Sequence, residues 1–247
     1  MNREYTWEES SEMRRGFWWF SYSEKPKSKN PESPRDFRPI TLQNNILKIS
    51  EKFLLKLIMN HIKENKIIIK EQIGFKKKKS SLLNLLKLKF IKNKFKKTQN
   101  NLFLIFVDIE KAFDSLNHKI LIEKLINYNF NIFLIEKIFD LIKKRKNYIK
   151  LKDKNIYIEM TNGIPQGSVI SPILFNIFIN DLKEYLNLEN DFEETLFYAD
   201  DICIVTNSKK STKRKITLLE EWMLKNKLNL NKNKTKILVI ENSKKKN

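Results

Sequence analysis

The chain has 247 residues, a formal net charge of +20 and 41% hydrophobic residues, enough for one large domain or two small ones with a proper core. No apolar run approaches the ~20 residues of a membrane span, the N-terminus lacks the apolar stretch of a secretory signal, and the single cysteine, Cys203, excludes an internal disulfide and argues against structural zinc. The expected setting is therefore intracellular, with nucleus or cytoplasm left open, and the basic excess points to a polyanionic partner, nucleic acid first. Lys outnumbers Arg and shares AT-rich codons with Asn and Ile, so a single run such as Lys76–Lys79 reads equally well as compositional.

Residues 1–24 hold Trp7, Trp18 and Trp19 without clean periodicity and read as a segment apart. Residues 24–36, rich in Pro, Ser and Lys, read as a loop. Apolar residues recur at helical spacing from Ile46 to Ile67, with Leu47, Phe53, Leu54, Leu57 and Ile58 on one face. A second helix is predicted over Leu82–Lys96, followed by a strand that ends at Asp108. Helical stretches follow near 118–127 and 131–145, then a hairpin joining 148–151 to 156–158 across Asp153. Ser171-Pro172 predicts a helix start, with Ser as N-cap and Pro at the first position, and that helix is expected to run to about Leu186. A further helix near 212–227 contains Trp222, and a last strand covers Lys236–Ile240. The order of elements is that of an α+β fold, with antiparallel hairpins and helices packed on one face.

The chemistry concentrates in Tyr198-Ala199-Asp200-Asp201. Two short apolar runs, 195–198 and 202–205, flank the acids, so these sit at the tip of a predicted β-hairpin. An acidic pair at a turn is most often only solvated. Here a third carboxylate, Asp108, ends another apolar run, and a Gly-Ile-Pro-Gln-Gly loop, Gly163–Gly167, lies between the two. Three carboxylates on neighbouring strands suit Mg²⁺, which takes oxygen ligands and shares its site with substrate phosphates. Two such ions ~3.5–4 Å apart can activate an attacking hydroxyl and stabilise a leaving pyrophosphate.

Six blocks in order carry a resemblance to a known family. They are Asp36-Phe37-Arg38-Pro39-Ile40-Thr41-Leu42, Gln72-Ile73-Gly74-Phe75, Phe106–Asp114, Gly163–Ser168 continuing through Ser171–Asn176, Tyr198–Asp201, and Trp222 with Asn231 and Lys234-Thr235-Lys236. Over residues 25–241 the chain resembles the reverse transcriptase domain of non-LTR (LINE-type, jockey-like) retrotransposons. The resemblance implies a fingers-and-palm fold over 25–247 with an antiparallel palm sheet, ending where a thumb is expected to begin, and a poorly matching segment, 1–24.

It also implies roles. Asp108, Asp200 and Asp201 are the catalytic metal ligands for two Mg²⁺, with Mn²⁺ a substitute. Arg38 grips the incoming triphosphate through its forked donors, or forms an ion pair with Asp36 or Glu51. Gln166 and Gly167 contact the nucleotide, and Phe113 is a gate against the ribose 2′-hydroxyl or a core aromatic. Tyr198 supports the primer end or packs in the hairpin. Lys234 is the general acid or a solvated turn lysine. The implied partners are an RNA template, a DNA primer, their hybrid and deoxynucleoside triphosphates. Two alternatives stand beside RNA-directed DNA polymerase: an inactive remnant that only binds nucleic acid, and a group II intron maturase-type reverse transcriptase.

Overall fold

The computed structural model describes the backbone of residues 18–26, 37–67, 72–74, 80–96, 98, 101–143, 145–151, 154–159, 161–188 and 193–241, with 18–26, 37–40, 145–151 and 154–159 described by backbone alone. In chain order the elements are β1 (Trp18–Pro26), β2 (Phe37–Leu42), α1 (Asn45–Glu64), α2 (Ser81–Phe95), β3 (Leu102–Val107), α3 (Ala112–Ser115), α4 (His118–Asn127), α5 (Ile132–Lys143), β4 (Arg145–Leu151), β5 (Lys154–Glu159), α6 (Ser171–Phe178), α7 (Leu182–Tyr185), β6 (Glu194–Tyr198), β7 (Asp201–Thr206), α8 (Lys209–Lys225) and β8 (Lys236–Ile240).

Local chemistry explains the helix starts. Asn44, Asn117 and Ser208 each turn a side-chain oxygen onto a backbone N–H of the first turn, those of Leu47, Ile120 and Ser211. These contacts satisfy donors that a helix start leaves orphaned. On α1 the buried stripe is Leu47, Glu51, Leu54, Ile58 and Ile62. Phe53, expected on that face, is 67% exposed. It stands one residue before Leu54, which turns it about 100° off the stripe. α6 is apolar on every side, and seven of its eight residues are buried, which makes it the central helix of the core.

Two differences from the sequence reading arise around α6. Ser171 lies inside the helix rather than capping it: Ile170 is the N-cap, and the Ser171 hydroxyl is buried without a partner. The helix expected to reach Leu186 breaks after Phe178 and resumes as α7. At the break, the Asn180 side chain donates to the carbonyl of Ile67 at 2.7 Å. Asp181 meanwhile accepts from Lys124 Nζ at 2.7 Å and Trp222 Nε1 at 3.2 Å. Lys124 Nζ also takes the Phe178 carbonyl at 2.6 Å, the group that a continued helix would pair with Leu182 N–H, which instead donates to Ile179 O.

Two four-stranded sheets form. The first runs β2-β1-β4-β5 and the second β6-β7-β3-β8. The second is antiparallel throughout. In the first, β1 pairs antiparallel with β2 but parallel with β4, so the segment from Trp18 is strand up to Pro26. The hairpin predicted near 148–158 is present as β4 and β5, with Asp153 outside the described residues.

Ile105 and Val107 of β3 and Phe197, Ile202 and Ile204 of the neighbouring strands face the main core, shared with α1, α4, α5, α6 and α8. Leu102, Leu104, Leu196, Cys203 and Val205 face the other way, onto a smaller cluster with Phe95 of α2. That second face is covered only at one end: Phe106, next in its alternation, is 41% exposed.

Candidate active site

The acidic residues sit at the open end of the second sheet. β3 and β7 pair antiparallel up to Val107↔Ile202, so the next step of the register brings Asp108 to Asp201. Tyr198 pairs with Asp201 across the β6–β7 hairpin. Alternation places Tyr198, Asp201, Asp108 and Phe106 on the partly uncovered face. The turn itself is Ala199-Asp200, and Ala199 holds φ +57°. The main chain of Asp108 is fixed from the third side. Its N–H donates to Thr235 Oγ1 at 3.2 Å, and its carbonyl accepts from the N–H of Asn231 at 2.9 Å. Thus the strand end, the hairpin tip and the turn before β8 meet.

The three carboxylates feel one another. Burial pushes the Asp201 carboxyl upward, and the charges of Asp200 and Asp108 push it the same way. Cys203 beneath them is no nucleophile: burial pushes its thiol up to about 12. Among the described residues no three His, Cys, Asp or Glu side chains close into a ready-made metal cage. The donor set nevertheless fits a hard divalent ion. Mg²⁺ is held by one or two carboxylates together with substrate phosphates rather than by an all-protein cage, and a cation relieves the repulsion recorded at Asp201.

That repulsion has a testable sign. The folded value of Asp201 is raised, so its ionisation works against the fold. Stability is fully present below the unfolded carboxylate range and is lost as pH rises through the folded value. In metal-free buffer Asp201→Asn should therefore melt higher than the parent at neutral pH, and the gain should vanish in acid below the unfolded carboxylate range. Thermal melts of both proteins across pH in a chelator measure this. A pH-independent difference would mean altered packing instead.

The Gly163–Ser168 loop is laced to the chain after Asp108. Gly163 (φ +80°) donates its N–H to Leu116 O at 2.7 Å, and Ile164 N–H reaches Phe113 O at 2.8 Å. A Cβ on Gly163 would stand 2.5 Å from Asp114 O, so only glycine fits this turn. His118 Nε2 donates to the Gly163 carbonyl at 2.7 Å. The Gln166 side-chain amide donates to Asp114 Oδ1 at 3.1 Å, and the Gln166 main-chain carbonyl accepts from Thr41 N–H of β2 at 2.7 Å. Gly167 holds φ +116°. Phe113 is half-buried and stacks on Phe175, with ring centroids 5.0 Å apart. Phe113, Gln166 and Gly167 are thus brought together through Asp114.

Sequence reasoning missed two supports of this loop. The buried Glu51 accepts from Gln43 Nε2 at 2.6 Å, Ser168 Oγ at 2.9 Å and Val169 N–H at 2.6 Å. Burial pushes its carboxyl upward, and these hydrogen bonds oppose the shift. In the sequence it was named only as an alternative ion-pair partner of Arg38, although its phase, four residues after Leu47 and three before Leu54, puts it on the buried stripe. Asp114 was read only as the end of the Phe106–Asp114 block, not as the partner of Gln166.

Of the remaining predicted residues, Tyr198 is 37% exposed on the sheet face beside Asp201. Lys234 is exposed in the turn, its N–H bonded to Asn231 O at 3.2 Å. Arg38 lies on β2 opposite Lys25, and its side chain lies outside the described residues, as do Asp36 and the run at 76–79.

Comparison with known proteins agrees with the motifs. Residues 25–246 match the family described as Reverse transcriptase (RNA-dependent DNA polymerase). The chain is 27% identical over 218 residues to a Drosophila melanogaster protein named "Probable RNA-directed DNA polymerase from transposon BS", covering 84% of this chain and 24% of that one. It is 28% identical to the RNA-directed DNA polymerase from the mobile element jockey of the same fly, over 73% of this chain and 20% of that one. It is also 33% identical to the putative COX1/OXI3 intron 2 protein of Saccharomyces cerevisiae, over 70% of this chain and 19% of that one. The chain thus spans a quarter or less of the length of these relatives. Among solved structures, apo telomerase from Candida tropicalis superimposes with a TM-score of 0.71 at 17% identity, over 92% of this chain and 51% of that one, and shares the fold. With nearly its whole length matched, this chain belongs to the reverse transcriptase (RNA-dependent DNA polymerase) family, and its similarity to jockey and BS agrees with the jockey-like non-LTR resemblance of its motifs.

Proposed function

We propose that this chain carries the polymerase centre of a retroelement reverse transcriptase: it adds deoxynucleotides to a DNA primer 3′-hydroxyl on an RNA template and releases pyrophosphate. The observation that supports this most is the meeting of Asp108 with Asp200 and Asp201 at one open sheet end, beside the loop that carries Gln166.

Asp108 and Asp200 hold the divalent ions, and Asp201 is the weaker or outer ligand. Two Mg²⁺, when bound, lower the pKa of the attacking hydroxyl and neutralise charge on the leaving pyrophosphate. The protein's own task is positioning. Gln166, held by Asp114 and β2, contacts the nascent base pair. Gly167 lets the backbone approach the nucleotide. Phe113, backed by Phe175, walls off the ribose 2′ position. Tyr198 supports the primer end on the sheet face, Arg38 grips the triphosphate, and Lys234 protonates the leaving group. The basic surface attracts template and primer phosphates.

A second reading, an intron-encoded maturase-type reverse transcriptase, is favoured by the 33% identity to the yeast intron protein. It shares the chemistry and differs in the RNA copied. A primer-extension assay on an RNA template beside a filter-binding assay tests the proposal. Mg²⁺-dependent addition of deoxynucleotides is expected. Binding of the RNA–DNA hybrid with no extension would leave the remnant that only binds nucleic acid.

A further inference from the structure

The acidic hairpin does not hold itself. Its tip residue, Ala199, is neither Gly nor Asn yet holds the left-handed φ of +57° that the two-residue loop between Tyr198 and Asp201 requires, at a cost in strain for a residue with a Cβ. Residues 72–74 clasp it in that conformation. The Gln72 side chain is buried and grips both backbone groups of Ala199. Its Oε1 accepts from Ala199 N–H at 3.1 Å, and its Nε2 donates to Ala199 O at 3.2 Å. The same Oε1 accepts from Gly74 N–H at 2.9 Å.

A carboxamide offers one donor and one acceptor, as a peptide group does, so Gln72 acts as one rung of sheet at a point where no strand pairs. Its neighbours complete the seat. Ile73 N–H donates to Phe197 O at 3.2 Å. A Cβ on Gly74 would lie 2.2 Å from Ala199 N, so the hairpin tip rests directly on the Gly74 backbone.

We propose that Gln72 is a positioning residue of the polymerase centre: its carboxamide fixes the backbone of Ala199 and thereby sets where the carboxylates of Asp200 and Asp201 stand. This rests on the function proposed above. Glu at position 72 keeps the acceptor but loses the donor to Ala199 O. Asn falls one methylene short. Ala leaves the N–H groups of Ala199 and Gly74 without this acceptor in a buried place, which native structures avoid.

The test uses the full 247-residue chain. Gln72→Ala should speed hydrogen exchange at the Ala199 amide while core amides of β3 keep parental protection. The midpoint for Mn²⁺, followed by electron paramagnetic resonance, should rise about tenfold or more, as when the hydrogen-bond partners that orient metal ligands are removed. In single-turnover extension kcat should fall by about 10²-fold, the cost of a small misplacement of catalytic groups, with KM for deoxynucleotide nearly parental. Gln72→Glu should fall between the two. Asn84→Ala removes a side-chain bond to Phe197 O, away from the tip, and should leave the Mn²⁺ midpoint unchanged.

Folded Gln72→Ala with parental Ala199 exchange and Mn²⁺ midpoint would overturn the proposal. Where Gln72→Ala does not fold, parental values in Gln72→Glu would overturn it equally. If the parent itself extends no primer, the polymerase reading fails alone, and exchange at Ala199 with the Mn²⁺ titration still decides the role of Gln72.

Discussion

Asp108→Asn and Asp200→Asn should each abolish Mg²⁺-dependent primer extension, with rates down by on the order of 10³-fold or more, as when a preorganised electrostatic contact to the reacting centre is removed. Both variants should fold. Asn is nearly isosteric with Asp, Asp200 is exposed at the turn, and Asp108 is tied to Asn231 and Thr235 through its main chain rather than its carboxylate. Each substitution also removes a negative charge that acts on Asp201, so the metal-free melting temperature should hold or rise. Loss of extension with retained melting temperature and retained hybrid binding is the signature of a metal ligand. Extension at the parental rate by either variant, beside an active parent, would refute the two-metal assignment. Equal losses of extension, binding and stability would make these residues structural instead.

The separation between what local sequence encodes and what it does not is visible at these residues. Short continuous apolar runs at 102–107 and 202–205 gave the strands, and a strand places a residue at its end without help from elsewhere, so Asp108 and the acidic pair were readable. β8 was read with its observed bounds for the same reason. The parallel pairing of β1 with β4 joins segments more than a hundred residues apart, and no local period carries that information.

Glu51 shows the limit for a single side chain. On α1 it stands on the apolar stripe with Leu47, Leu54 and Ile58, and the groups that satisfy it there, Ser168 and Val169, come from more than a hundred residues away. Ala199 shows it for a contact. The two-residue hairpin loop asks for a positive φ there, but nothing in Phe-Tyr-Ala-Asp-Asp names Gln72, the side chain 127 positions away that clasps it. Phe53 failed for a simpler reason, a one-residue error in the phase of the α1 stripe. The six motif blocks reached further than periodicity, since they named Gln72-Ile73-Gly74 without giving it a role.

The gate proposed at Phe113 should show itself in sugar selectivity. Phe113 lies five residues beyond Asp108, between Ala112 and the Asp114 that holds Gln166. Its ring is supported from one side by Phe175, which is fully buried, at an interplanar angle of 19°. The residue as a whole is only partly buried. A ring braced in this way cannot swing aside, so a sugar pressed against its open side meets a fixed wall. Deoxyribose lacks the 2′-hydroxyl that would collide with it.

Phe113→Val should therefore raise the ratio of kcat/KM for ribonucleotides over deoxynucleotides by roughly 10–200-fold, the range that one steric feature of a pocket commands. Both substrates must be measured, because the gate acts on the ratio. The variant also loses ring packing on Phe175 and should be less stable by about 1–3 kcal/mol, so a control is needed. Phe175→Leu removes the same stacking from the buried side and leaves the Phe113 ring in place. It should lower stability comparably with a much smaller change in sugar selectivity. If Phe113→Val extends primers with an unchanged ratio, or if Phe175→Leu shifts the ratio as far, the ring is a packing residue and sugar choice is made elsewhere in the site.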